Sequence, residues 1–220
     1  MAPNYFGYLP RLQCWQSQLL MADQLYLNLW FPDFSEAEMM PRTLSMLKQF
    51  PFSSTLPGIG YVAVQPLSWI ETPFFEQTFD FRTGAEAAVL AVSEFLHADH
   101  AYILEALWDL WAPRKEGDLD EKWLLQPKPV KFIVHGKKFD ERCFQQDGHI
   151  QIDFGLDSSF LYEEHEFTPD VEHRIKLNVQ KLVSFVRDVE KNCGISGRVL
   201  WSESDENLAQ KLISKLQKVQ

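Results

Sequence analysis

The residues best suited to chemistry are His149, Gln151 and Asp153. They alternate with Ile150, Ile152 and Phe154 and so project from one face of a predicted strand. His135 belongs to the preceding predicted strand and is expected to face them. An imidazole and a carboxylate on one sheet face can orient a water or hold a cation. His149, Asp153 and His135 are therefore the candidate catalytic set, for metal-assisted or acid–base hydrolysis. The plainer alternative is the solvated face of an antiparallel sheet, because alternation alone accounts for these residues.

Other groups carry weaker chemistry. His97 and His100, on either side of Asp99, are spaced to offer two imidazoles to one metal if they lie on a helix. They fall where an alanine-rich helix should end, a place where the dipole alone favours histidine. Without a third ligand of matching spacing, no metal site is assigned, and no cofactor is expected. Gly58-x-Gly60-x-x-Ala63 has the spacing of a loose dinucleotide fingerprint, yet a Ser/Pro loop precedes it and a strand follows, the reverse of what phosphate binding needs. Glu163, Glu164, His165 and Glu166 form an acidic run before a helix start, where solvated charge is the ordinary outcome. Cys143 is six residues before His149, with only Arg142 assured beside it to lower its pKa. No nucleophile elbow, phosphate loop or His-Glu-x-x-His segment occurs.

Aromatic residues give a different clue. The chain holds 17 Phe, 6 Tyr and 7 Trp, and Trp108, Trp111, Trp123 and Trp201 gather around a predicted junction. Large rings supply rigid contact area, so these four are the candidate binding residues of an aromatic cleft or surface, with core packing as the alternative.

The elements that must position these groups follow from periodicity. The clearest is a helix over 168–194. Val171, Ile175, Val179, Leu182, Val186, Val189 and Cys193 recur every three or four residues, Thr168 suits the cap, Pro169 the first turn, and Gly194 the stop. Strands are predicted over 25–31, 61–67, 74–81, 101–111, 130–139, 148–156 and 198–201. Ser35 with Glu38, Thr83 with Glu86 and Ser202 with Asp205 have capping-box spacing and introduce helices. In the first of these, Pro41 should set the start or kink the helix.

The element order predicts an α+β fold, with antiparallel sheet and helices packed on one face. It is open to two ferredoxin-like halves in pseudo-duplicate. The expected organisation is an N-terminal extension over 1–24, a first α+β half over 25–111, a connecting segment over 112–129 rich in Pro and charge, and a second half over 130–220. One continuous domain is the alternative.

A formal net charge of −10 argues against nucleic acid and anionic membrane as partners. No apolar run approaches the roughly 20 residues of a membrane span. Three scattered cysteines and an N-terminus unlike a secretory signal lead us to expect a cytoplasmic protein with free thiols. The leading functional expectation is a soluble, non-catalytic binding or interaction protein whose partner is a protein or small-molecule ligand, with a homo-oligomer left open. The competing expectation is the hydrolase built on His135, His149 and Asp153.

Overall fold

Leu25, Leu27 and Leu29 alternate with Tyr26, Asn28 and Trp30, and the alternation becomes strand β1 (Gln24–Trp30), whose three leucines are fully buried. The computed structural model describes residues 23–113, 123–161 and 168–202. After β1 come α1 (Glu36–Leu47), β2 (Ile59–Pro66), β3 (Phe75–Thr83), α2 (Ala85–Ser93), β4 (His100–Pro113) and β5 (Trp123–His135). A 3₁₀ turn (Phe139–Arg142) and the one-turn α3 (Phe144–Asp147) lead to β6 (Ile150–Leu156), the one-turn α4 (Ser158–Leu161), α5 (Pro169–Asn192) and β7 (Gly197–Ser202). The 1–24 extension apart from its last two residues, the acidic run at 163–166 and the helix predicted after Ser202 lie outside the described residues.

The seven strands form one sheet in the order β3-β2-β4-β5-β6-β1-β7, with every neighbouring pair antiparallel. The α+β class with antiparallel sheet is therefore as expected. The order is not that of two ferredoxin-like halves side by side. Such a half over 25–111 would put β1 beside β4, whereas β1 lies between β6 and β7. What the two edges share is a split β-α-β unit: α2 joins β3 to β4 around β2, and α5 joins β6 to β7 around β1.

The register stacks apolar residues into rows. Leu27, Ile152, Phe132, Leu104 and Val62 are cross-strand neighbours in turn, as are Leu29, Ile150, Val134, Tyr102 and Val64. These rows meet Met39, Met40, Met46 and Leu47 of α1, Ala88, Val89 and Val92 of α2, and the stripe of α5 in one core. Along α5 that stripe is Ile175, Val179, Leu182, Val186 and Val189, ending in buried Cys193. The Thr168 hydroxyl accepts from the Val171 amide at 3.3 Å, and Gly194 takes φ +63° just past the end. All three long helices lie on the same face of the sheet.

Two local outcomes differ from the periodic reading. Helix α1 starts at Glu36 and runs through Pro41; Ala37 and Pro41 are both on its exposed side, so the carbonyl that loses an amide partner is left to water. Glu38 pairs with Arg42 at 3.0 Å instead of closing a capping box. The described parts of 112–129 are strand, the outer arm of a long β4–β5 hairpin. Pro127 and Pro129 are tolerated because β6 pairs with β5 only from Lys131 onward, which leaves an edge where a missing amide costs nothing.

The free edge of β4 in this arm is closed by α5. Asn178 is buried; its side-chain oxygen accepts from the Trp111 amide at 2.9 Å, and its nitrogen donates to the Trp111 carbonyl at 2.8 Å and the Ser159 carbonyl at 2.9 Å. Lys181 donates to the Asp109 carbonyl at 2.7 Å, and the Ser53 amide to the Leu107 carbonyl at 2.7 Å.

Candidate functional site

Four of the six histidines, His97, His100, His135 and His149, gather at one end of the sheet. Register brings them there: Ala101 is opposite His135, the His135 amide donates to the His149 carbonyl at 2.9 Å, and the Gly136 amide donates to the His100 carbonyl at 2.9 Å. Three loops meet at this end: 67–74 between β2 and β3, 94–99 between α2 and β4, and 136–149 between β5 and β6.

His135 and His149 are structural in their contacts. His135 is almost wholly buried, and its Nδ1 donates to the Gly148 carbonyl at 2.8 Å. That bond fixes the tautomer and leaves Nε2 as an acceptor, which has no hydrogen-bond partner among the described residues. Burial holds the ring below the usual histidine range. The His149 ring stacks between Phe34 and Phe144, with centroids 4.6 and 4.9 Å away. Its Nδ1 accepts from the Phe31 amide at 3.0 Å, so the hydrogen sits on Nε2. Burial, assisted by the nearby Lys137 charge, pushes its pKa down to about 4. Asp153 is four residues along β6 from His149, about 13 Å at the strand rise. It accepts from the Gly155 amide at 2.8 Å. The structure thus brings His135 and His149 into contact across two strands and leaves Asp153 apart from both.

The four tryptophans do not share one surface. Trp108 is fully buried against Phe50, Phe154 and Phe160, and Trp123 is buried as well. Trp111 lies under the Arg174 guanidinium, 5.1 Å from its ring centroid. Trp201 stacks on Tyr26 at 4.7 Å on the face opposite the three long helices.

Gly58 and Gly60 have a packing role. A Cβ on Gly58 would come within 2.5 Å of the Thr83 carbonyl oxygen, and one on Gly60 within 2.1 Å of the Phe81 ring. These glycines let β3 and Phe81 lie against β2, where a bulge offsets the register. Burial pushes the Cys143 thiol up to about 12, which removes it as a thiolate at neutral pH.

Two features of this end go beyond what residue spacing predicts. The first is the turn 95–100. The Tyr102 hydroxyl accepts from the His97 amide and donates to the Phe95 carbonyl, both at 2.8 Å. The Leu67 amide donates to the Asp99 carbonyl at 2.8 Å, and the Lys138 amide to the Ala98 carbonyl at 2.7 Å. Held in this way, the turn puts Asp99 between two imidazoles: its carboxylate hydrogen-bonds His97 Nδ1 and lies 3.5 Å from His100 Nε2.

The second is the loop 67–74. Leu67, Trp69, Ile70 and Phe74 are exposed by 57, 43, 93 and 49%. The loop backbone is tied down while these side chains point outward. Buried Gln65 donates to the Ser68 and Glu71 carbonyls, and the Asp140 amide donates to the Leu67 carbonyl at 2.8 Å. Trp69 rests edge-on against Phe139 at 5.0 Å, and Phe74 against Phe95 at 5.5 Å. Leu67 has φ +56°, a conformation that a leucine rarely adopts.

In comparisons with known proteins, no family model, curated protein or solved structure matches this chain. Among the described residues, no helix is long and apolar enough to cross a membrane.

Proposed function

We propose that this is a non-catalytic interaction protein that meets a protein partner through the β2–β3 loop. The observation that carries the reading is the exposure of four large apolar side chains within eight residues, on a backbone already fixed by hydrogen bonds. Scattered apolar side chains on a surface are ordinary, but a contiguous apolar group is the usual mark of an interface. A fixed loop also loses little conformational freedom on binding, so its buried area is returned as affinity. Leu67 supports the case, because its left-handed backbone, bonded to Asp99 and Asp140, holds a large apolar side chain out in solvent.

Charge favours a protein partner over lipid. The chain carries −10 overall and Glu71 is the one charged residue of the loop 67–74, so the loop itself offers no basic group to anionic headgroups. Apolar contact with a protein groove needs no such group. The test is a photo-reactive side chain at position 70 in the full chain, with position 190 on α5 as the control site. The reading expects a cross-linked product of discrete mass from position 70 alone, whether with another protein or with a second copy. Equal labelling from both positions, or none from position 70, would contradict it.

A further inference from the structure

Independently of the interaction surface, we infer that His97, Asp99 and His100 form a binding site for a first-row divalent ion of the zinc class. One donor atom from each residue lies within 4.8 Å of the other two. A four-coordinate ion with bonds of about 2.0–2.1 Å separates its donors by about 3.4 Å. The 3.5 Å between Asp99 Oδ1 and His100 Nε2 already has that spacing.

The tautomers fit as well. His100 Nδ1 is 2.9 Å from the Phe95 carbonyl oxygen and must carry the hydrogen, which leaves a lone pair on Nε2, the atom 3.5 Å from Asp99 Oδ1. A ring nitrogen donating to a backbone carbonyl while the other faces the ion is the usual support of a metal-bound histidine. His97 now hydrogen-bonds Asp99 through Nδ1. Its ring is exposed, so an ion can take the place of the shared hydrogen. That hydrogen transfers through solvent to His97 Nε2, and Nδ1 becomes the ligand. No proton is released, because only the tautomer changes, and the site goes from one net negative charge to one net positive charge on taking up the ion.

The turn is pre-formed by contacts outside the cluster. Tyr102, Leu67 and Lys138 hold its backbone from three other segments. Gly136 permits the close approach, since a Cβ there would come within 2.3 Å of the Ala98 carbonyl oxygen. Two imidazoles with one carboxylate suit zinc, nickel, cobalt or ferrous ions, whereas calcium and magnesium prefer all-oxygen shells. Three protein donors on an open turn leave at least one coordination position to water.

The experiment is calorimetric titration of the metal-free full chain with Zn²⁺, repeated with Ca²⁺, alongside visible absorption on adding Co²⁺. The expected result is one Zn²⁺ per chain and no Ca²⁺. Asp99→Asn and His100→Ala should each weaken Zn²⁺ at least tenfold, and exposed His97→Gln should do so with an unchanged melting temperature. His173→Ala, on the outer side of α5, should bind like the parent chain. Failure of the parent chain to bind Zn²⁺, uptake unchanged by His97→Gln, or uptake of Ca²⁺ in its place would overturn the assignment.

Discussion

At the scale of single residues, the histidines divide by their hydrogen bonds. His149 is neutral in the folded protein, with a pKa near 4 against about 6.5 when unfolded, so the unfolded chain binds more protons between those values. Stability is therefore expected to be full above pH 6.5, to fall as pH drops toward 4, and to level off below, with His149 contributing at most about 3 kcal/mol. Urea titrations across this range should show the slope, and His149→Phe should flatten it. Buried His135 acts in the same direction and leaves a residual slope. Gly136→Ala is a steric counterpart: its Cβ meets backbone at 2.3 Å, so a loss of about 1–3 kcal/mol is expected in denaturant unfolding. None of this was legible from spacing. In the sequence, His149 and Asp153 share a strand face and suggest a pair, while the aromatic rings that enclose His149 come from residues 34 and 144. Spacing joins His97 and His100 as a metal pair only on a helix, which should end before them, and shows no third ligand; the turn is what puts the Asp99 carboxylate between the rings.

At the scale of elements, local pattern and long-range pairing behave differently. The α5 stripe, its Thr168 cap and its Gly194 stop are local features, and each is found where periodicity predicts it. Asn178 is the exception within that helix. As a polar residue it reads as surface, yet it is buried because it satisfies the free edge of β4. Asn178→Leu leaves three backbone groups without their partner, and about 2–4 kcal/mol of stability should be lost, measurable by thermal or denaturant unfolding. The tryptophans show the same limit. Trp108→Ala should cost about 3–5 kcal/mol as a core cavity, while Trp201→Ala, half-buried on Tyr26, should cost clearly less. Three of the four lie within 16 residues of one another, 108 to 123, but the strand alternation of β4 turns Trp108 inward and puts Trp111 beside α5.

At the scale of the whole molecule, the antiparallel α+β class follows from counting strands and amphipathic helices, and the strand order does not. Nothing in Leu25 to Trp30 specifies whether that strand pairs with its sequence neighbours or with β6 and β7, more than 120 residues later. Pairing of the same long-range kind, Pro66 beside His100 and Ala101 beside His135, decides that the β2–β3 loop, the His97–His100 turn and the β5–β6 loop share one end of the sheet and form one surface. The segment between the strands predicted to end at 67 and to start at 74 carries no periodic signal, so the outward exposure of Trp69 and Ile70 is visible only in the assembled structure. The most direct measurement compares the parent chain with Leu67→Asn/Ile70→Ser in both unfolding and partner capture. Asn accepts the left-handed conformation at position 67 and Ile70 touches little, so stability should stay within about 0.5 kcal/mol of the parent. The account predicts that the partner cross-linked from this loop, or self-association through it, is lost in that stable variant. Capture at the parent level, or a variant that fails to fold, would contradict the claim that this loop is a contact surface and not part of the core.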